Sequence, residues 1–391
     1  RVSLLVPIYN VEKYLRECLD SARNQTLQDI EVICINDGSK DSSRTIIQDY
    51  LDADERFRVI DKENSGYGVS MNMGLEAARG EYVGILESDD FFEPNALEKL
   101  VAAAEKFDAQ VAKANFWLYW SIPEPKSELF EVITPDMANR LVNTQEEYEI
   151  YYRKNSIWSA IYRRDFLNGN NIRFLETPGA SYQDTAFDFK VWACATRATF
   201  LQDAILHYRQ DNEASSVNSP SKVYCVCDEY DEIEQFLAEH PEKDNLATVE
   251  EKMKYDTYMW NYDRLSDDLK LEFLKRFSED FKRDKRAGRV DMQAFEWWKL
   301  QDMESIMRSP KNSTHGAAAK KRTAFSPERS FSLTQRVGGP SSLRFAIGSR
   351  ARITTCLRFP LLSQFTMSNA ICRIASTPYV HRRFTTSRLS A

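Results

Sequence analysis

The segment Glu87-Ser88-Asp89-Asp90 places three carboxylates within four residues, directly after the apolar run Tyr82–Leu86. Carboxylates at this spacing repel one another unless a cation or hydrogen-bond donors compensate their charge. Mg²⁺ and Mn²⁺ prefer oxygen ligands, and Mg²⁺ usually binds one or two carboxylates together with phosphate oxygens of a substrate. The segment therefore predicts a divalent-cation site. The alternative that it leaves open is a solvated acidic turn before the next helix.

Polar and glycine residues also follow the three earlier strands that the sequence predicts. They are Pro7, Tyr9, Asn10 and Glu12 after the first strand, Asp37, Gly38 and Ser39 after the second, and Asn64, Gly66 and Gly68 after the third. The carboxyl ends of parallel strands share one edge of a sheet, and ligands of open α/β sheets bind there. An edge rich in carboxylates, amides and glycines fits a metal-bridged nucleotide better than an apolar ligand, although the Asp37 segment alone is also an ordinary turn.

Two common nucleotide-binding motifs are not met by the sequence. Gly66-Tyr67-Gly68 is followed by Gly74, so it lacks the G-x-G-x-x-G spacing of dinucleotide-binding proteins, and it follows the third predicted strand rather than the first. The sequence also contains no G-x-x-x-x-G-K-[ST] phosphate loop. A Rossmann dehydrogenase and a P-loop NTPase are therefore both disfavoured.

Strand and helix patterns alternate along the first 116 residues and position these side chains. The predicted strands are Val2–Val6, Glu31–Asn36, Phe57–Ile60, Tyr82–Leu86, Gln110–Trp117 and, later, Phe200–Tyr208; the predicted helices are Val11–Arg23, one capped by Asp41 or Ser42 that runs through Leu51, Tyr67–Arg79, Ala96–Phe107 and Thr185–Ala195. Strands joined by helices of this length predict an α/β fold with a mainly parallel sheet that helices cover on both faces.

The composition divides the chain into pieces of different character. Residues 309–391 are rich in Ser, Thr and Arg and carry a net charge of +13, against −20 for the rest of the chain. We predict an α/β domain over 1–218 with halves 1–118 and 119–218, a helical accessory region over 219–308, and a basic tail over 309–391 that is disordered or non-native. An anion-binding tail stays open.

The overall composition of the 391 residues suits a soluble globular protein, since 42% are hydrophobic and 28% are charged. No run of 18 apolar residues predicts a membrane span, and no secretory signal pattern is visible. The seven cysteines are scattered, and the C-x-C of Cys225 and Cys227 lacks a second pair that would complete a zinc site. We therefore predict reduced thiols and a cytoplasmic protein.

Taken in order, these motifs resemble glycosyltransferase family 2, whose members have the GT-A fold. The matching segments are Val6-Pro7-Ile8-Tyr9-Asn10, Asn36-Asp37-Gly38-Ser39 with Asp41, Asn64 through Gly68, Met71-Asn72-Met73-Gly74, Gly80-Glu81-Tyr82, and Glu87-Ser88-Asp89-Asp90 with Pro94. The resemblance covers about residues 1–118 closely and 150–218 more loosely. It implies a Rossmann-like GT-A domain followed by a helical region.

The resemblance implies that the residues of these motifs bind a nucleotide-sugar. Pro7, Tyr9, Asn10 and Glu12 would border the base and ribose, Asp37 would contact the base, Asn64 and Asn72 would line the pocket, Glu87 would lie near the ribose, Asp89 would bind Mn²⁺ or Mg²⁺, and Gly68 and Ser88 would also bind the nucleotide-sugar. Glu87 stands where the D-x-D motif of the family usually begins with Asp. That departure puts only its ribose contact in doubt.

The catalytic base of the family is normally the Asp of a Glu-Asp pair, which corresponds here to Gln183-Asp184. Asp184 keeps the base, Gln183 replaces the usual acid, and Asp188 is a fallback one helical turn further on. Asp184 would also serve as a helix N-cap, and the two roles are compatible. His207 is implied as a further metal ligand or a diphosphate contact, against the alternative of a structural histidine.

The function that the resemblance implies is an inverting, metal-dependent glycosyltransferase of the hexosyltransferase class. It would move a sugar from a UDP-sugar to a hydroxyl of a glycan or lipid-linked acceptor in bacterial surface polysaccharide synthesis (lipopolysaccharide, capsule or exopolysaccharide). No nucleic-acid partner is implied. Peripheral contact with the inner face of the plasma membrane, through Trp297 and Trp298, and a homo-oligomer stay open. The alternatives are a sugar nucleotidyltransferase and a catalytically inactive nucleotide-sugar-binding protein.

Overall fold

The computed structural model describes residues 1–180, 182–212 and 222–313. Their ten strands are β1 (Val2–Ile8), β2 (Ile30–Asn36), β3 (Phe57–Asp61), β4 (Tyr82–Ile85), β5 (Phe91–Phe92), β6 (Val111–Trp120), β7 (Lys126–Phe130), β8 (Leu141–Val142), β9 (Ala160–Arg163) and β10 (Ala198–Arg209). They form one sheet in the order β3-β2-β1-β4-β9-β6-β10-β5, with β7 beside β6 and β8 beside β10.

The helices of the described residues fall into two groups along the chain. Those that accompany the sheet are α1 (Leu15–Arg23), α2 (Ser43–Ala53), α3 (Tyr67–Ala77), α4 (Ala96–Phe107), α5 (Arg164–Gly169) and α6 (Asp184–Cys194). Those that follow it are α7 (Cys225–Glu239), α8 (Ala247–Arg264), α9 (Asp267–Arg286), α10 (Trp297–Arg308) and α11 (Pro310–Ser313).

The direction of the strands confirms the predicted α/β fold with a mainly parallel sheet. β1 pairs in parallel with β2 and β4, β2 with β3, and β6 with β10. β9 is antiparallel to both β4 and β6, so it joins the two parallel groups without reversing their common direction. The prediction did not include β5, β7, β8 and β9.

Strand β1 is buried along its whole length, which explains its continuous apolar sequence. Pro7 fits inside this central strand because its nitrogen points to the β4 side, where pairing with β4 has already ended at Leu5. A proline is tolerated where the ladder has no hydrogen bond to lose. The chain leaves β1 after Ile85, and the acidic segment Glu87–Asp90 that follows lies at the carboxyl edge of the sheet.

Helices α8 and α9 pack around aromatic rings, which are Tyr255, Tyr258, Phe273, Phe277 and Phe281. In the same region the ammonium group of Lys254 is fully buried, contacts Asp284 Oδ2 at 2.6 Å and pairs with Glu234. A buried charge is tolerated when it is paired in this way. These helices share one continuous hydrophobic core with the sheet.

Helix α7 fastens this helical region to α6. The side chain of Glu229 accepts the backbone N–H of Ala186 at 3.1 Å, and Lys190 Nζ lies 2.8 Å from Glu232 Oε1. Across residues 1–180, 182–212 and 222–313, no helix is long and apolar enough to cross a membrane. Residues 314–391 lie outside the described residues, so the basic tail and the predicted domain boundaries stay predictions.

Replacing Asn115 with Leu should destabilise the fold by about 3 kcal/mol or more, because it leaves several buried backbone groups unpaired. The buried amide of Asn115 accepts the N–H groups of Val132 and Ile133 at 2.8 and 2.7 Å, and donates to the carbonyls of Ile133 and Gln202. It does so where the register of β10 on β6 shifts. Urea denaturation measures the change. Gln202→Leu, at an exposed side chain of β10, is the control and should change stability by less than about 0.5 kcal/mol; equal losses would contradict the assignment.

Candidate active site

The acidic turn Glu87–Asp90 follows β4 and is tied to its surroundings by hydrogen bonds. The hydroxyl of Tyr67, the first residue of α3, donates to Glu87 Oε1 at 2.6 Å. Asp90 donates its backbone N–H to the Glu87 carbonyl at 3.0 Å, and its Oδ1 accepts the N–H of Arg209 at 2.8 Å. The other carboxyl oxygen of Asp90 is buried without a hydrogen-bond partner in the described part of the chain.

Arg209, the last residue of β10, packs against the acidic turn and binds it. Its buried guanidinium donates from Nε to the Asp89 carbonyl at 2.8 Å and forms an ion pair with Glu17 of α1. It also lies over the ring of Tyr14, with 4.5 Å from the guanidinium carbon to the ring centroid. From the same segment, Asn212 donates to Asp89 Oδ2 at 2.8 Å. The turn is thus fixed through its backbone and through the side chains of Glu87, Asp89 and Asp90.

Buried carboxyl groups at this edge have raised pKa values, to which neighbouring carboxylates contribute. Burial, followed by the charges of Asp89 and Asp184, raises the pKa of Glu87 to about 8, although the hydrogen bond from Tyr67 opposes the shift. Burial and the charge of Asp89 raise the pKa of Asp90 well above its usual range. Asp89 and Asp184 therefore both lie within electrostatic reach of Glu87. The negative charges of these carboxyl groups are not fully compensated, and a bound cation would compensate them.

Asp184 is the first residue of α6 and lies in the field of the acidic turn. Burial and the charge of Asp188 raise the pKa of Asp184 to about 6, and the charge of Lys154 opposes the shift. The carboxyl group is therefore ionised at neutral pH, yet it is a better proton acceptor than an ordinary aspartate. Sequence reasoning named Asp184 and Asp188 but missed Lys154, since no motif marks it.

The residue that replaces the usual acid before the base has a structural contact. The buried amide of Gln183 donates to Thr177 Oγ1 at 2.8 Å and to the Gly179 carbonyl at 3.2 Å. The Gly179 carbonyl in turn accepts the N–H of Tyr67 at 2.9 Å. Gln183 thus connects the helix of Asp184 to the start of α3 through a short loop. The hydrogen bond to the Gly179 carbonyl needs an amide donor, because a carboxylate has no proton to donate.

Tyr208 is a further residue of the site that sequence reasoning did not assign. Burial, followed by the charges of Asp90, Asp89, Asp184 and Glu87, raises the pKa of its hydroxyl. Its hydroxyl group therefore lies within electrostatic reach of both the acidic turn and Asp184. No sequence signal distinguishes it from the other aromatic residues of β10.

The donor set suits a divalent cation that a substrate helps to bind. Asp89 and Glu87 offer carboxylate oxygens, and within the described residues no group of three or more His, Cys, Asp and Glu side chains forms a complete protein site. Mg²⁺ characteristically takes one or two carboxylates and completes its shell with water and phosphate oxygens. The residues present therefore fit Mg²⁺ or Mn²⁺ bound together with a diphosphate.

The structure does not bring His207 to Asp89, contrary to the prediction of a shared metal site. One ring nitrogen, Nε2, lies 2.9 Å from Glu93 Oε1, and the other, Nδ1, lies 3.2 Å from Ser127 Oγ. The ring stacks on Phe91 with 4.4 Å between centroids. This is the structural alternative for His207, since both of its ring nitrogens have partners other than Asp89. Asn212 contacts Asp89 in its place.

Asp37, at the end of β2, organises the loop that follows β3. Its two carboxylate oxygens accept the N–H groups of Ser65 and Gly66 at 2.9 and 3.1 Å, and it pairs with the ammonium group of Lys62. Beside it opens a pocket of about 610 Å³ lined by Gly38, Lys40, Asp61, Lys62, Glu63 and Asn64. Asn64 lines the pocket and is accessible to a ligand there. Asp37 instead holds the loop that forms the pocket wall, through its contacts with Lys62, Ser65 and Gly66.

Asn10 and Glu12 join the loop after β1 to the start of α2. Asn10 Oδ1 accepts the N–H of Lys40 at 2.7 Å, and Glu12 Oε2 accepts the N–H of Ser42 at 2.8 Å. Tyr9, which precedes them, is 52% exposed, whereas Pro7 is buried within β1. Of these four predicted base and ribose contacts, Tyr9, Asn10 and Glu12 are exposed and Pro7 is not. Ser88, in the acidic turn, is half-buried.

Asn72 and Gly68 hold the segment before Gln183 against α3. The Asn72 amide donates to the carbonyl of Phe174 and accepts its N–H, both at 2.9 Å, and also donates to Glu176. Gly68 packs so closely that a Cβ there would meet the Leu175 carbonyl oxygen at 2.1 Å. The structure therefore gives both residues positioning contacts rather than a place in the pocket.

Comparison with known proteins gives a family. The sequence pattern described as glycosyl transferase family 2 matches residues 3–129. The chain is 34% identical over 216 residues to the uncharacterized glycosyltransferase EpsJ of Bacillus subtilis, a match of 54% of this chain and 61% of that protein, so it spans less than two thirds of this relative. It is 30% identical over 221 residues to glycosyltransferase GlyG of Streptococcus pneumoniae, a match of 54% of this chain and 70% of that protein.

Solved structures show the same fold. The crystal structure of residues 1–349 of S. aureus TarS in complex with UDP-GlcNAc superposes with a TM-score of 0.63 and 20% sequence identity. The match covers 83% of this chain and 92% of that one. At this identity the likeness shows the fold alone, and it confirms the predicted GT-A fold followed by helices.

Replacing Gly68 with Ala should lower stability by about 1–3 kcal/mol, because the new methyl group must displace the Leu175 backbone. Thermal unfolding measures the loss. Gly169→Ala is the matched control, since nothing lies within 4 Å of a Cβ at that position. A Gly68→Ala protein as stable as the control would show that the segment at Leu175 is not packed on α3.

Proposed function

Because the chain belongs to glycosyl transferase family 2, we propose that it transfers a sugar from a UDP-sugar to a hydroxyl group of a glycan or lipid-linked acceptor, with inversion at the anomeric carbon. The observation that supports the proposal is that the charges of Asp89 and Asp184 both act on the buried carboxyl group of Glu87. A base and a metal-binding carboxylate within reach of the same residue are what deprotonation of an acceptor beside a diphosphate requires.

In the proposed reaction Asp184 takes the proton of the acceptor hydroxyl as its oxygen attacks the anomeric carbon from the face opposite the leaving UDP. The raised pKa of Asp184, about 6, gives it driving force for this transfer while it stays ionised at pH 7. Mg²⁺ or Mn²⁺ held by Asp89, with Glu87, supplies positive charge for the leaving diphosphate when it is bound. Tyr67 orients Glu87 through its hydrogen bond.

Several observations support a UDP-sugar as the donor and a surface glycan as the product. The open pocket beside Asp37 and Asn64 lies at the carboxyl ends of β2 and β3, where nucleotides bind in open α/β sheets. TarS, which shares the fold, binds UDP-GlcNAc. The relatives come from bacteria, and a matched segment of 97 residues is 43% identical to chondroitin synthase of Escherichia coli.

Asp184→Asn should lower kcat by about 10²–10⁴-fold, because the amide does not accept the proton. UDP should still bind, as thermal stabilisation by UDP and Mn²⁺ would show. For the unmodified protein, kcat should fall as the pH drops through about 6, since protonation of Asp184 removes the base. Asp188→Asn should move this acid limb to lower pH, because Asp188 raises the pKa of Asp184. An Asp184→Asn protein with full activity would exclude Asp184 as the base.

Asp89→Ala should abolish metal-dependent stabilisation by the nucleotide. The measurement is a thermal-shift and turnover panel of UDP, GDP, CMP and dTDP sugars with Mn²⁺, with Mg²⁺ and with EDTA. We expect one UDP-sugar to be hydrolysed slowly, with loss of turnover in EDTA. Asp165→Ala, at an exposed aspartate of α5, is the control. Pyrophosphate release from UTP would instead indicate a sugar nucleotidyltransferase, and no nucleotide binding at all would contradict the role of Asp89.

A further inference from the structure

An aromatic cluster formed by α8 and the segment before α6 stands next to the candidate base. Trp260 of α8 is 37% exposed and meets the ring of Tyr182 edge to face, with 5.4 Å between centroids and 85° between ring planes. The guanidinium of Arg264, one turn further along α8, lies over both rings at 5.4 and 5.2 Å from their centroids. The three side chains therefore form one ordered surface.

Tyr182 connects this surface directly to the catalytic segment. It precedes Gln183 and Asp184 in the chain, and the charge of Asp184 contributes to the raised pKa of its hydroxyl. Its backbone has φ = 68°, in the left-handed region that bulky residues rarely adopt. Its hydroxyl group is buried and makes no hydrogen bond within the described residues. Strain and an unpaired hydroxyl both cost stability, and they persist most often at functional sites.

The α8 side of the cluster is held rigidly. Arg264 Nε donates to Asn261 Oδ1 at 2.9 Å, and its Nη2 donates to the Lys222 carbonyl at 2.9 Å. The buried amide of Asn261 donates to the Val223 carbonyl at 3.0 Å. Trp260 thus projects from an anchored helix end. A rigid aromatic ring binds a ligand with little loss of side-chain conformational entropy, because the ring is already ordered.

We propose that Trp260, with Tyr182 and Arg264, forms an acceptor subsite that stacks one pyranose ring of the acceptor glycan beside Asp184. The inference rests on the proposed function and names where that function binds its second substrate. The nucleotide pocket beside Asn64 lies on the loops after β2 and β3, so the donor occupies a different part of the edge.

The chemistry of the surface favours a sugar over a protein partner. A pyranose has an apolar face of C–H groups and a rim of hydroxyl groups, which match an aromatic ring with a polar neighbour. A single part-exposed indole is far smaller than the contiguous apolar patches that mark protein or membrane contacts. The positive charge of Arg264 further favours sugars that carry a carboxylate or phosphate.

The test uses the full chain labelled with 5-fluorotryptophan and observed by ¹⁹F NMR. The chain has seven tryptophans, and Trp260→Phe identifies the resonance of Trp260. The probes are methyl glycosides of glucose, galactose, N-acetylglucosamine and glucuronate, together with maltotetraose and chitotetraose. Trp297, which is 70% exposed at the start of α10, is the matched reference on the same molecule. Turnover of the UDP-sugar with water as acceptor is measured in parallel.

We expect at least one probe to shift the Trp260 resonance in a saturable manner while that of Trp297 stays in place. Trp260→Leu lacks the reporter, so its binding is measured by saturation-transfer NMR titration beside the unmodified protein, and it should be weaker by about tenfold or more. Trp297→Leu should change neither this binding nor hydrolysis of the donor. If no probe moves Trp260, or if Trp260→Leu binds the probes as before, the subsite is excluded; Trp260→Met, which fills the space without an aromatic face, replaces Trp260→Leu if the latter unfolds. Absence of donor hydrolysis in the unmodified protein would instead contradict the proposed function.

Discussion

The organising constraint of the site is the repulsion between carboxylates that the fold gathers at one edge of the sheet. The structure meets it with the buried guanidinium of Arg209, which pairs with Glu17 and lies over the ring of Tyr14. Arg209 binds the backbone carbonyl of Asp89 rather than its carboxylate. The turn is thereby held in shape while its carboxylate oxygens keep a deficit of positive charge, which is the condition under which a cation binds strongly.

The nucleotide side and the base side of the site are joined by backbone contacts rather than by a flexible link. Gly68 allows the segment at Leu175 to touch α3, and the Asn72 amide pairs with both backbone groups of Phe174. Gln183 continues the connection to the helix of Asp184. Catalysis that depends on placing a hydroxyl group within fractions of an ångström benefits from such preorganisation.

The sequence predicts the parts of the site that local patterns encode. Strand ends followed by Asp37 or Glu87-Ser88-Asp89-Asp90 are visible because buried strands are apolar and the polar residues after them stand out. The work of Asn72 was not predictable, because its partner Phe174 lies 102 residues away. His207 is a related case, because the partners of its ring, Glu93 and Ser127, lie 114 and 80 residues away.

The position of Glu229 affects where chimaeras of this protein and its relatives should be joined. This buried carboxyl group of α7 caps the N–H of Ala186 in the first turn of α6, so the helix that begins with Asp184 is completed by a side chain from beyond the sheet. Chimaeras that exchange the C-terminal helices at the end of β10 would exchange this cap together with the Trp260 surface. A chimaera that keeps α7 from the parent of the sheet would retain the native cap of the Asp184 helix, while α8 and its Trp260 surface would come from the other parent.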